Sequence, residues 1–169
     1  MNYLDMLCRF LAGLCFEDLP KDVVRQAGLV VADTVAVIAA GSAEPEMAAL
    51  TARLAGAPGP AAVIGTGLRT EAGKAALLNG TAGTFLEMDE GNRFSRGHPA
   101  IHVLPAVLAT AEAQGMSGRD TLLAFVLGYE VGARLGGAAR LRPAMHPHGT
   151  WGTVAAAAAI GRASCRERV

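Results

Sequence analysis

The chain has 169 residues, of which 51% are hydrophobic and 18% are charged. This length suits one compact domain with its own core, and the composition excludes disorder caused by low hydrophobicity and excess charge. Fifteen basic and fifteen acidic side chains give a formal net charge of zero, so we expect neither nucleic acid nor an anionic membrane as a partner.

Apolar residues recur at steps of three and four along most of the chain, which predicts a mainly helical protein. Pro20 suits the first position of a helix, because its missing N–H would be unpaired there. Cys8 and Cys15 lie seven residues apart on the leucine-rich face of the first helix, so we expect buried thiols rather than a disulfide. The first three predicted helices cover residues 2–14, 20–41 and 45–54.

One β segment follows a turn at residues 57–60: we expect a short strand over residues 61–64 and a tight turn over residues 65–67. Thr70 is expected to cap the next helix. Pro105 lies inside a helical pattern and is expected to kink that helix or to shift its start. The remaining predicted helices cover residues 71–86, 99–114 and 117–136, and a last one begins near residue 149.

The predicted fold class is therefore all-α, a helical bundle of antiparallel neighbours with one short β segment. Aromatic residues make up only 5% of a chain rich in glycine and alanine, so the helices should pack with closely spaced backbones. Charged residues or glycines interrupt each apolar stretch before the roughly 20 residues that a membrane span needs, and the N-terminus lacks a cationic region. We expect a cytoplasmic protein without a membrane span.

The composition changes at the end of the chain, where three of the fifteen basic residues fall in the last eight positions. Residues 160–169 also match, codon for codon, the translation of a common sequencing adapter. We therefore expect residues 162–169 to be a non-native tail and residues 1–161 to form the domain. An ordinary basic tail is the alternative.

Reactive polar residues concentrate in two loops between apolar helices. The first, residues 86–99, holds three carboxylates, two arginines and His98 directly before Pro99. A helix that begins at Pro99 would offer N–H groups and a partial positive charge to a bound carboxylate. The second, residues 140–153, holds two of the four histidines, which can accept and return a proton near neutral pH. Solvated helix connections are the alternative interpretation of both loops.

A metal site is a further alternative, because His98 and His102 are four residues apart and carboxylates lie close by in sequence. His98 would however lie at the helix cap, and the chain lacks both a His-Glu-x-x-His pattern and a cysteine cluster. We expect no metal. The sequence also lacks a phosphate-binding loop and the Gly-x-Ser-x-Gly pattern of serine hydrolases.

Several motifs in the same order and spacing make residues 1–161 resemble the MmgE/PrpD family. They are AVIGTG at 62–67, LNGTA at 78–82, GHP at 97–99, VLPA at 103–106, GYEV at 128–131 and HPHGTWGT at 146–153. The resemblance implies a helical N-terminal domain, joined in the family to a smaller α/β domain and usually part of a homodimer. It also implies a cofactor-independent lyase that acts on a small di- or tricarboxylate such as 2-methylcitrate by dehydration, with decarboxylation and epimerisation as alternatives.

By this resemblance the catalytic residues are His98, His146 and Glu87. A histidine would remove or return a proton beside a substrate carboxylate, and Glu87 would orient a histidine or take part in the transfer. The substrate-binding residues expected with them, beside the helix terminus at Pro99, are Arg93, Arg96, His148, Asn79 and Asp89.

The loop also departs from the family pattern. Glu87 stands where aspartate is commoner, and Gly91 replaces a threonine, which leaves the substrate open. Because family lysines and a tyrosine that complete the site would lie beyond Val169, we expect the chain alone to be inactive. A non-catalytic helical module that dimerises through its alanine and glycine faces is the alternative from another class.

Overall fold

The computed structural model describes residues 2–146 and 149–164. In this part of the chain it contains seven α-helices and one two-stranded sheet, which confirms the mainly helical fold. The elements are α1 (Tyr3–Gly13), α2 (Lys21–Ser42), α3 (Pro45–Leu54), β1 (Ala61–Val63), β2 (Leu68–Thr70), α4 (Ala72–Phe85), α5 (Pro99–Gln114), α6 (Gly118–Ala138) and α7 (Trp151–Ser164).

Side chains cap the N-termini of α1, α4 and α6. Asn2 accepts a hydrogen bond from the Asp5 N–H at 2.9 Å, and Ser117 caps α6 in the same way. The expected cap of α4 is wrong by one residue, because the Glu71 carboxylate accepts from the N–H of Gly73 at 3.1 Å. Thr70 is buried in β2 instead, and its hydroxyl donates to the carbonyl of Ala55.

The β segment pairs with a second strand that the sequence did not predict. Antiparallel pairing joins Ala61 to Thr70 and Val63 to Leu68. The turn between them carries Gly65 at φ 82°, a left-handed conformation that favours glycine. A strand of three residues is too short to show an alternating pattern, so only its partner reveals β2.

Helix α5 lies at the centre of the packing and contacts α4, α6 and α7. It begins at Pro99, so Pro105 does not shift its start. Nine residues of α5 are buried, and several of them pack against buried side chains of neighbouring helices such as Phe125 of α6 and Ala82 of α4. The helix that starts at the first polar loop is therefore also the most firmly held.

Glycines allow the helices to approach closely. A Cβ atom at Gly41 of α2 would overlap the carbonyl oxygen of Ala82 on α4 and lie 2.9 Å from its carbonyl carbon. Along α6, a Cβ at Gly128 or Gly132 would meet the Ala155 carbonyl at 3.1 Å or the Ala155 Cβ at 2.9 Å. These small-residue faces pack against neighbouring helices inside the domain.

Helix α1 contradicts the prediction of buried thiols. Cys8 and Cys15 are both exposed, and α1 contains no buried residue. The leucine-rich face was a correct indication of amphipathicity, but within the described residues α1 contacts mainly α7. Cys165 lies outside the described residues.

Within the described residues, α2 is the one helix whose length and composition would allow it to cross a membrane, which is weak evidence because a core helix passes the same test. Its face with Ala27, Thr34 and Ile38 is buried.

Helix α7 extends into the tail that was expected to begin at residue 162. The side chain of Arg162 donates to the carbonyls of Ala12 and Leu14 at 3.2 and 3.0 Å.

Candidate active site

The first polar loop closes into a tight turn immediately before α5. Asn92 and Gly97 pair as an antiparallel bridge, with the Asn92 N–H donating to the Gly97 carbonyl at 2.8 Å. The Asn92 side-chain oxygen accepts from the N–H of Ser95 at 2.9 Å, and the Ser95 hydroxyl donates to the Asn92 carbonyl. These bonds define the position from which His98 emerges.

This turn packs on α6 at two consecutive glycines. A Cβ atom at Gly136 would lie 2.6 Å from the carbonyl oxygen of Ser95, and one at Gly137 would lie 2.6 Å from the ring of Phe94. Ser95 is buried, whereas Phe94 is largely exposed. The absence of a side chain at Gly136 is therefore required for the turn to approach the helix.

His98 is the N-cap of α5, and its Nδ1 atom faces two oxygens of its own loop. Nδ1 lies 2.9 Å from the carbonyl oxygen of Glu90 and 3.2 Å from Oδ2 of Asp89. A carbonyl can only accept, so Nδ1 carries a proton, and in the neutral ring the basic lone pair is on Nε2. The single Nδ1 proton is directed to the closer carbonyl, while the carboxylate of Asp89, only 4% exposed, places a negative charge beside the ring.

The carboxylate of Glu90 occupies the N-terminus of α5. Its Oε2 accepts from the N–H of Ala100 at 3.2 Å, and its Oε1 accepts from the Tyr129 hydroxyl at 2.6 Å. A carboxylate does bind this helix end, and it is the protein's own Glu90. Pro99 has no N–H, and the N–H of Ala100 is engaged by Glu90.

Tyr129 of α6 links two parts of the loop. Its hydroxyl donates to Glu90 and accepts from the side-chain amide of Asn92 at 3.0 Å. Burial, and then the hydrogen bond to Glu90, raise the pKa of Tyr129 above its ordinary range. The sequence placed this residue in the GYEV motif but gave it no role. The sequence signal that could have identified Tyr129 is its spacing of four residues from Phe125 on α6. In the structure the two rings contact each other edge-on.

The raised pKa of Tyr129 predicts a loss of stability in alkaline solution. Above about pH 10 the unfolded chain releases this proton while the folded protein retains it. Unfolding therefore releases a proton, and the free energy of unfolding falls as the pH rises. Urea unfolding between about pH 9 and 11 should show this decline in the wild type and a smaller one in Tyr129→Phe.

Tyr3 provides the matched control for this titration, because it is the other of the chain's two tyrosines and is exposed. Tyr3→Phe should keep the wild-type dependence of stability on pH. An equal decline in wild type and Tyr129→Phe would contradict the assignment of the effect to Tyr129.

The other charged residues of the loop lie on its surface. Glu87 follows α4 in a left-handed conformation at φ 53°, and its N–H donates to the Thr84 carbonyl at 3.2 Å. Arg96 is also left-handed, at φ 55°, and Arg93 is exposed like it. Such backbone angles are uncommon for residues with a side chain and occur often at functional sites.

Asn79 has a structural position. It is 1% exposed, its side-chain oxygen accepts from the N–H of Ile64 at 2.9 Å, and its side-chain nitrogen donates to the Ala62 carbonyl at 2.9 Å. Both ends of the amide are thus used to hold the β segment on α4.

The second polar loop is described only in part. His146 is exposed, and its carbonyl accepts from the Thr150 hydroxyl at 3.2 Å, whereas His148 lies outside the described residues. Where α7 begins, the ring of Trp151 meets His102 edge-on at a centroid distance of 5.4 Å. Because His102 lies one helical turn after His98, this contact brings the start of α7 beside the first turns of α5.

Comparison with known proteins identifies the family. A family model of the MmgE/PrpD N-terminal domain matches residues 5–166, nearly the whole chain. The chain belongs to the MmgE/PrpD family. A cis-aconitate decarboxylase-like protein of Aspergillus oryzae, oryM, is 35% identical over 174 residues, which cover 95% of this chain and 36% of that protein.

Cis-aconitate decarboxylase of Aspergillus terreus is 31% identical to this MmgE/PrpD chain over 167 residues, which cover 92% of the chain and 34% of that enzyme. The chain thus spans about a third of the length of the curated relatives it matches. The resemblance inferred from the motifs is confirmed at the level of the family.

Two cavities of this MmgE/PrpD domain adjoin the elements that carry its polar residues. One of about 380 Å³ lies between α2 and α6 and includes Glu90, Gly91 and Tyr129 in its wall. The other, about 400 Å³, lies between α4 and α5 and includes Thr84 and His102. Among residues 2–146 and 149–164, no three His, Cys, Asp or Glu side chains are grouped so as to hold a metal ion.

Proposed function

We propose that this chain contributes to the active site of a cofactor-independent lyase that acts on a small di- or tricarboxylate. The observation that carries the proposal is the held imidazole of His98. Its Nδ1 proton is directed to the Glu90 carbonyl with Asp89 beside it, so Nε2 is the nitrogen that exchanges protons. The family and the names of the two curated relatives support the class of reaction and substrate.

Decarboxylation needs a proton donor at one carbon atom. The bond between that carbon and its carboxylate breaks, CO2 leaves, and the electron pair remains on the substrate. Protonated Nε2 of His98 then supplies the proton to carbon. No electron is gained or lost overall, so the reaction needs no redox cofactor.

We favour decarboxylation over dehydration because one of the two relatives is named cis-aconitate decarboxylase and the other is named a cis-aconitate decarboxylase-like protein. Dehydration of 2-methylcitrate would use the same histidine as a base, with loss of the hydroxyl group as water. Epimerisation would return the proton to the opposite face. The three reactions are distinguished by their products rather than by the loop.

The exposed cations of the loop are our candidates for holding the substrate. Arg93 and Arg96 are exposed on the loop that leads to His98, and we propose that they supply the positive charge that binds a substrate carboxylate. Glu87 and His146 are proposed for the second proton transfer, and His148 for substrate binding. Asp89, with its buried carboxylate next to His98, acts through that ring. We further propose that the protein functions as a cytoplasmic homodimer.

The proposal is tested by measuring acid binding and turnover together, because the chain spans only a third of its relatives. Calorimetric titration with cis-aconitate and 2-methylcitrate should show binding that Arg93→Gln and Arg96→Gln weaken. Arg53→Gln, at an exposed arginine of α3, is the matched control. CO2 release, where the chain catalyses it, should fall by about 10²–10⁴-fold in His98→Gln.

Failure to bind either acid at millimolar concentration would contradict the assignment of the carboxylate site to this loop. Binding with equal affinity in the loop variants and in Arg53→Gln would do the same. Water loss from 2-methylcitrate without CO2 release from cis-aconitate would replace decarboxylation by dehydration.

A further inference from the structure

We propose that Tyr129 is a positioning residue that fixes the tautomer and orientation of His98 through Glu90. The catalytic meaning of this inference rests on the proposed function. Its structural content concerns one tyrosine of α6, one acidic residue of the loop and the histidine that caps α5. Neither the family match nor the names of the relatives assigns a role to Tyr129.

Glu90 contacts three separate parts of the site. Its backbone carbonyl accepts from Nδ1 of His98 at 2.9 Å, its Oε2 accepts from the N–H of Ala100 at 3.2 Å, and its Oε1 accepts from Tyr129 at 2.6 Å. The side chain and the carbonyl belong to the same residue. The two donors to its side chain restrain Glu90 within the loop, and this restraint also limits the movement of its carbonyl, the closer of the two acceptors that face Nδ1 of His98.

Tyr129 supplies the fixed end of this chain of contacts. Its ring packs edge-on against Phe125, which is 2% exposed, at a centroid distance of 5.9 Å. A ring held by the helix core keeps its hydroxyl at a fixed position, whereas Glu90 belongs to a loop. The hydrogen bond from Tyr129 is thus the means by which the rigid helix α6 sets the position of the loop carboxylate.

The same hydroxyl also holds the following turn, because Asn92 donates to it at 3.0 Å. Tyr129 therefore joins Glu90, before the turn, to Asn92, within it. Phenylalanine at position 129 would preserve the ring packing and remove both hydrogen bonds. Glu90 would then lose the only donor that α6 gives it among the described contacts, and the turn would lose its amide partner.

The experiment measures the tautomer of His98 directly in the whole chain. Protein labelled with ¹⁵N in its histidines is examined by two-bond ¹H–¹⁵N correlation at about pH 8, above the ordinary titration range of histidine. The signal that disappears in His98→Gln assigns the residue. We expect a pyrrole-type Nδ1 and a pyridine-type Nε2 in the wild type, and a shift of both nitrogens toward averaged values in Tyr129→Phe.

Tyr3→Phe is the matched control and should leave the His98 spectrum unchanged, because Tyr3 is exposed on α1. If circular dichroism shows that Tyr129→Phe does not fold, Glu90→Gln replaces it in the test. That variant keeps the side-chain length but has one carbonyl oxygen for two donors, so it should shift the same nitrogens partially.

An unchanged His98 tautomer in a folded Tyr129→Phe or Glu90→Gln variant would overturn the positioning role, and so would a wild-type protein whose proton resides on Nε2. Carboxylate binding is measured in parallel on the same samples. A shifted tautomer without carboxylate binding supports the positioning role and removes the proposed function. Carboxylate binding with an unchanged tautomer supports the proposed function and removes the positioning role.

Discussion

Replacing Gly41 with alanine should lower the free energy of unfolding by about 3 kcal/mol or more. The added Cβ would overlap the carbonyl oxygen of Ala82 and lie 2.9 Å from its carbonyl carbon. Both contacts are with backbone inside α4, which cannot rotate away as a side chain could. The two helices must therefore separate, and the buried cluster that contains Ile38, Ala82 and Ile101 loses its packing.

Gly28 provides a matched control within the same helix, because nothing lies within 4 Å of the position that an added Cβ would take. Gly28→Ala should raise the free energy of unfolding by up to about 1 kcal/mol, since alanine is the better helix former. Urea unfolding of both variants gives the comparison. Equal effects of the two substitutions would show that α2 and α4 do not approach each other as described.

Replacing Gly136 with alanine should displace the turn of residues 92–97 and cost about 1–3 kcal/mol of stability. The Cβ would lie 2.6 Å from the carbonyl oxygen and 3.0 Å from the Cα of Ser95, so the turn backbone has to move. Because His98 follows this turn directly, its contacts with Glu90 should loosen. Amide hydrogen exchange should accelerate at Ser95 and Gly97 in this variant.

Gly137→Ala is the control for the displaced turn. The Cβ at this position would meet only the ring of Phe94, which is 66% exposed and can rotate into solvent. Exchange at Ser95 and Gly97 should then remain close to that of the wild type. Similar acceleration in both variants would indicate a general loosening of α6 instead of a specific contact between Gly136 and the turn.

Local patterns predicted most of the helices. Helix α3 runs from Pro45 to Leu54 and α5 from Pro99 to Gln114, as expected, because proline starts and glycine stops act within a few residues. The abundance of glycine also correctly indicated close helix packing. The burial of Cys8 and Cys15 was wrong, because an apolar face shows only that a partner is needed and not that one is present.

The candidate site also contains some features that local sequence patterns predicted and others that they did not. The sequence marked out the loop with Glu87, His98 and the two arginines, because charged residues are conspicuous between apolar helices. Two contacts arise from tertiary packing: the Asn79 amide binds the backbone of the β segment, and Glu90 accepts from Ala100 at the N-terminus of α5. Either group could have bound a substrate equally well as far as its neighbours in sequence show.

By itself the sequence determined the helical class, the helix boundaries and the family, since these depend on periodicity, capping residues and motifs that are read locally. Only the tertiary structure decided which nitrogen of His98 is held and by what. Glu90 and Tyr129 are 39 residues apart, and their hydrogen bond exists because α6 packs beside the start of α5. Hydrogen bonds act over about 3 Å, so such a pair is specified by packing and leaves no periodic signal in the chain.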